Sequence, residues 1–213
     1  CCAPEGLDLN LFNALSLVTW LTATLLLLSS LGRPLHSLVM VMLPITALAL
    51  ALELTLGHDA AIAVAGKPEL QIHILVSLVA YSLLTLAALQ AGVLAIQHNA
   101  IHRHQPGNRF IRALPPLQAM EALLFQLIGV GFLLLSGALV TGFIYLEDMF
   151  AQHVVHKTIL SVVGWIVFAT LLVGRLRFGW RGSLAIRWTL GGFIILILAY
   201  FGSKFALEWV LGG

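Results

Sequence analysis

Six apolar stretches divide the chain, near residues 12–31, 34–54, 71–97, 118–144, 157–174 and 187–207. Each is about as long as the ~20 residues an α-helix needs to cross a bilayer. Short polar segments separate them. Nowhere does an apolar/polar alternation persist of the kind a membrane β-barrel requires, and no short-period repeat stands out. The pattern predicts an all-α fold: a polytopic transmembrane helix bundle with six helices in this chain, forming one integral-membrane domain over residues 1–213. Gly32-Arg33-Pro34 makes a tight turn, so the first two helices are expected to be antiparallel neighbours. Pro44 is expected to kink the second, which a membrane helix tolerates when its neighbours satisfy the freed carbonyl. The third helix is expected over 71–97, continuing as a polar turn through His98, His102 and His104 and ended by Pro106-Gly107. Pro115-Pro116 precedes the fourth, where Gly129, Gly131, Gly137 and Gly142 let neighbouring helices approach closely. The fifth is expected to begin around His156-Lys157, and the sixth near Ile186-Arg187-Trp188.

The charges are sorted between the two ends of these helices. Arg33, the loop with Arg103, Arg109 and Arg112, and the loop with Arg175, Arg177, Arg181 and Arg187 lie at one end. Together they hold eight of the eleven Lys/Arg and a single acid, Glu121. The other eight of nine acids lie opposite, in the N-terminal segment, the loop from Glu53 to Glu69, the Glu147-Asp148 loop and the C-terminal end, with Lys67, Lys157 and Lys204. An excess of Lys and Arg marks cytoplasmic loops. The basic loops are therefore expected to face the cytoplasm across a bacterial inner membrane, with both ends of the chain outside.

Composition changes this picture little. A chain 60% hydrophobic and 9% charged, with mean hydropathy +1.02, does not have the balance of a soluble domain. Its formal charge of +2 reflects topology, and nothing in the sequence resembles a nucleic-acid-binding module. Cys1-Cys2-Ala3-Pro4 opens the chain without Met and without a signal-peptide pattern. We expect a longer protein with further N-terminal helices. The adjacent cysteines do not make a metal site by themselves, since a structural zinc needs four ligands.

Eight histidines are the second signal. His73 falls at the outer end of the third helix. His153 and His156 fall at the outer end of the fifth, three apart and so on one helical face. His58 lies in an outer loop, and His36, His98, His102 and His104 lie near the basic loops. Imidazole is a common ligand for haem iron and for metals generally. His73 and His156 share a depth, and two helices offering one histidine each there would clamp a planar cofactor. The competing reading is that interfacial histidines merely tolerate the headgroup region, where polar groups cost little. His98 and His102, four apart, make a metal-capable pair, yet no carboxylate or thiol completes a set and Arg103 opposes a cation. A solvated turn facing lipid phosphate fits them better. Glu121, in the first turns of the fourth helix, suits the helix dipole or pairs with an arginine. Trp180 and Trp188 among the arginines read as an orienting, lipid-contacting loop. Phosphate-binding glycine loops and Ser-His-Asp spacings are not seen.

Several of these residues also carry a resemblance. His73, Ser77 and Tyr81, spaced His-x-x-x-Ser-x-x-x-Tyr, resemble a stretch of the cytochrome c assembly membrane family, the CcsA/CcmC-like group. Residues 124–132, followed by Gly137 and Gly142, resemble that family's next helix. Residues 157–168, with Lys157, Trp165 and Phe168, resemble the helix after its haem-binding segment. Phe178 to Gly182, Ile186 to Gly192 and Tyr200 to Phe205 are most similar to its HemX/YpjD branch. The tryptophan-rich external segment of the family's haem exporters has no tryptophan here, and His156 stands where its proline would be.

The resemblance implies a CcsA-like bundle that handles haem in cytochrome c biogenesis and performs no bond chemistry of its own. Its partners would be the lipid bilayer, haem, and another membrane protein or a cytochrome c maturation component. His73 carries over as a haem ligand. From shared depth, and not by carry-over, His156 or His153 would replace the missing partner; Tyr81 would line the site, and Lys157 would meet a propionate. The alternative is a membrane scaffold or regulatory subunit, HemX-like, that no longer binds haem.

Overall fold

The computed structural model describes residues 2–3, 6–8, 17–24, 27, 61–62, 68–102, 114–145 and 152–199. Within these, residues 17–24 form α1, followed by α2 (Pro68–His102), α3 (Leu117–Tyr145), α4 (Gln152–Phe178) and α5 (Ser183–Ile197). Three of them are long and apolar enough to span a membrane: Gln71–His102, Leu117–Ile144 and Lys157–Phe178. The remaining apolar helix, α5, is shorter over its described length. The second apolar stretch, with Pro44 and the turn at Arg33, lies outside the described residues, as do the loop with Arg103, Arg109 and Arg112, the Glu147-Asp148 pair and residues 200–213. The architecture is thus a helical membrane bundle with three spans among the described residues, where six helices were expected for the whole chain.

Helix formation follows from the solvent. In hydrocarbon every backbone N–H and C=O must be satisfied within the segment, and a helix does this. The helices nevertheless outrun the apolar runs that announce them. α2 has 35 residues, about 52 Å at 1.5 Å per residue, well beyond a hydrocarbon core of ~30 Å. It starts on Pro68, a residue suited to a helix's first turn because its missing N–H has no partner to lose. It also runs as helix through His98 and His102, where a turn was expected. α4 begins at Gln152, so His153 and His156 both sit on its helical backbone.

The N-terminal segment is not helical. Strands β1 (Cys2–Ala3), β2 (Gly6–Asp8) and β3 (Ala61–Ile62) form an antiparallel sheet in the order β1-β2-β3. Leu7 pairs with Ile62 and Asp8 with Ala61. Two or three residues are too few for a period-two pattern to show in sequence, so this small sheet is an addition to the helical fold that the sequence did not announce. The pairing puts residues 6–8 and 61–62 side by side.

α2 packs against α3 and α5, and α4 packs against the same two helices. α2 and α4 therefore stand diagonally, with α3 and α5 between them. The core is densest at the α2–α3 seam. Small residues of α2 (Ala80, Ala87, Ala91) and Leu84 are fully buried there with Leu124 and Ile128 of α3, and small residues let backbones approach closely in lipid. A Cβ added at Gly131 would come within 2.9 Å of Leu84 Cδ2. Helix α1 joins through hydroxyls: Ser82 Oγ donates to Val18 O at 3.3 Å, and Thr22 Oγ1 contacts Ser82 O at 3.4 Å. Leu133, Val140, Phe143, Ile159 and Ile166 are exposed, and in a membrane protein such side chains meet lipid tails.

Candidate functional site

His73 lies in the first turns of α2, half-buried against the last turns of α3. Its Nδ1 is 3.0 Å from Thr141 Oγ1. Thr141 Oγ1 in turn lies 2.9 Å from Gly137 O and 3.1 Å from Ala138 O. A hydroxyl has one proton, and those carbonyls can only accept. Satisfying all three contacts therefore has Thr141 donating to its own helix and His73 Nδ1–H donating to Thr141. The Ala138 carbonyl, also facing this ring, favours the same assignment. The lone pair of the neutral imidazole is then on Nε2. Hydrogen bonding at one ring nitrogen is what fixes a metal-binding histidine's tautomer and orientation.

Gly142 makes room for this ring. A Cβ there would meet His73 Cε1 at 3.0 Å, so any larger residue pushes the imidazole away from Thr141. Sequence reasoning placed His73 correctly at a helix end but did not single out Thr141 as its partner. The small positions Gly137 and Gly142 were the available signal, once α2 and α3 are aligned antiparallel from the Gln97–Pro115 and Gln90–Met120 contacts.

The other expected site residues fall in different places. Tyr81 is eight residues further along α2, about 12 Å down its axis. Its hydroxyl donates to Leu196 O of α5 at 3.3 Å, so it ties the diagonal helix to its neighbour deeper in the bundle. Ser77 Oγ donates to His73 O at 2.7 Å and stays within α2. Lys157 is exposed near the start of α4, the helix that follows the end of α3 against which His73 packs. His153 and His156 precede it on the same helical backbone, and their side chains lie outside the described residues. The α4 start and His73 thus belong to one end of the bundle.

The opposite end is built around Gly182, which has φ +58°. It begins α5 with no side-chain cap of its own. Its N–H donates to Glu121 Oε1 of α3 at 2.7 Å, so a buried carboxylate from another helix supplies the missing cap. Arg175 extends over the Phe125 ring at 4.6 Å and donates to Trp180 O at 3.2 Å. Trp180 also stacks on the face of Gly174 and meets Trp188 with ring centroids 5.5 Å apart. Arg177, Arg181 and Arg187 are exposed. Among the described residues, no group of three or more His, Cys, Asp or Glu is placed to hold a metal ion.

These features define a helical membrane protein that holds one histidine, oriented by a threonine, at an end of its bundle. The chain belongs to the cytochrome c assembly protein family, whose pattern it matches over residues 6–211. It is 30% identical over 207 residues to the inner membrane protein YpjD of Escherichia coli K12, covering 97% of this chain and 78% of that protein. The same match is found in Escherichia coli O157:H7. A 28.8 kDa protein of Azospirillum brasilense, described as uncharacterized and as lying in a nifR3-like 5' region, is 36% identical over 151 residues, 69% of this chain and 55% of its own length. No solved structure matches the chain significantly.

Proposed function

We propose that the protein is an inner-membrane haem-binding component of cytochrome c biogenesis, with His73 as an iron ligand. The observation that carries this reading is the Thr141–His73 contact, with Gly142 leaving space for the ring. An imidazole tethered through Nδ1 offers Nε2 to a metal, and histidine is among the common axial ligands of haem. Haem bound here would bring an iron atom with axial positions for protein nitrogen. His156, or His153 on the same face of α4, is the candidate for the second position. Lys157 is the cation nearest this end of α4 for a propionate, by a charge-assisted hydrogen bond. Tyr81 keeps α2 in register with α5 and so keeps His73 at its depth. The basic end faces the cytoplasm, which puts His73 at the outer face.

Absorption spectra of the gently purified protein, oxidised and then reduced, test this. A Soret band is expected, and it should fall by at least half in His73→Ala and in His156→Ala. A band unchanged in His73→Ala overturns the ligand assignment. No band even after haemin is added overturns haem binding and favours the scaffold role.

A further inference from the structure

His98 and His102 close the opposite end of α2. They are four residues apart, and the structure makes that spacing helical by carrying α2 to His102. Their ring centroids lie 4.3 Å apart with a tilt of 37°. His102 Nδ1 is 3.0 Å from the His98 carbonyl oxygen. A carbonyl only accepts, so this nitrogen carries the proton, and the lone pair of the neutral ring lies on Nε2. His98 is half-buried and packs toward Gly182, on the side where Glu121 Oε1 also approaches that glycine. Glu121, which accepts from the Gly182 N–H, brings a buried carboxylate to the His98 side of an otherwise basic end. We propose that His98 and His102 form a two-imidazole chelate for a late first-row divalent ion such as Zn2+ or Cu2+.

The chemistry follows from the spacing. Two histidines at i and i+4 share a helix face, the arrangement by which paired helical histidines hold zinc. With metal–nitrogen bonds of about 2.0–2.1 Å, rings this close take adjacent coordination positions, roughly a right angle apart. The terminal torsion of each ring is broad, so the aim of each Nε2 is adjustable. Adjacent positions suit a free ion completed by water. They do not suit the two opposite axial positions of a haem, so this site is separate from the one at His73. Imidazole nitrogen favours the Cu2+ and Zn2+ end of the divalent series.

The test uses the full chain, purified with a histidine-free tag and stripped with chelator, then titrated with Zn2+ by calorimetry at pH 7.5. One ion per chain is expected. His98→Ala and His102→Ala should each weaken binding at least tenfold, and His98→Gln should do the same. Cu2+ bound to the wild-type chain should show nitrogen splitting in its electron paramagnetic resonance spectrum, lost in either alanine variant. Helical circular dichroism and elution volume confirm that each variant is folded. No binding by the wild-type chain at 100 µM Zn2+ (about 5.5 kcal/mol at most), or equal affinity in wild type and both alanine variants, overturns the site.

Discussion

At the scale of single residues, each end of the bundle holds a hydrogen bond between helices that one substitution can remove. At the His73 end, Thr141 decides which imidazole nitrogen is available. Thr141→Val keeps the shape and removes the acceptor, so haem affinity is expected to fall by about 10–100-fold, the usual loss when a metal ligand's supporting bond is removed. Thr141→Ser should keep most of it. Haemin titration followed at the Soret band measures both, and equal affinity in wild type and Thr141→Val would reject the orienting role. At the other end, Glu121 is 6% exposed and caps α5 from a neighbouring helix. Glu121→Ala leaves the Gly182 N–H without its partner, expected to cost about 1–3 kcal/mol. Glu121→Gln, which keeps an acceptor oxygen, should lose less. Thermal unfolding in detergent, followed by size-exclusion chromatography, separates the two variants. His73 and Glu121 stood out in the sequence because ionisable groups are rare in so apolar a chain, although Glu121 was expected to serve its own helix dipole or an arginine and instead accepts from the Gly182 N–H. Thr141 and Gly182 were not, because a hydroxyl or a glycine among many gives no sign of which neighbour it faces.

At α4 and α5 the helices approach closely at glycine positions. A Cβ at Gly164 of α4 would sit 2.6 Å from Leu196 Cδ2 of α5, and one at Gly192 would sit 3.1 Å from Phe168. Leu196 and Phe168 are themselves fully buried, so neither can move aside cheaply. Gly164→Ala is expected to destabilise by about 1–3 kcal/mol through overpacking. Gly129→Ala, where a Cβ meets nothing within 4 Å, should be within about 0.5 kcal/mol of wild type, as an exposed substitution away from special features usually is. The same thermal unfolding assay compares them, and equal losses would mean that close approach at Gly164 is not what joins α4 to α5. The sequence disclosed that glycines line these helices without disclosing which of them face a partner, since lipid-facing and helix-facing positions are equally apolar. For the same reason the apolar runs marked the spans well and their ends poorly. α2 and α4 continue as polar helix outside the hydrocarbon, where hydropathy carries no signal but backbone hydrogen bonding still does.

The whole molecule has a direction, and the function depends on it. Arg175, Arg177, Arg181 and Arg187 cluster where α4 passes into α5, while Lys157 sits near the other end of α4 and His73 near the start of α2. The sheet adds an independent constraint. Because β2 pairs with β3, the segments around Asp8 and Ile62 lie on one side of the membrane, and β3 leads within a few residues into the His73 end of α2. The strands near Asp8 and Ile62 and the histidine site thus share a side, and Arg175, Arg177, Arg181 and Arg187 take the other. Positive loops are retained in the cytoplasm, so the His73 end is expected to face outward. In a background with Cys1 and Cys2 replaced by Ala, Gln71→Cys should react with a membrane-impermeant maleimide added to intact spheroplasts. Ser183→Cys, exposed beside Arg181, should react only after the membrane is opened. The reverse pattern would turn the protein over, place His73 on the cytoplasmic face, and require haem to be taken up by this site from the side where it is made.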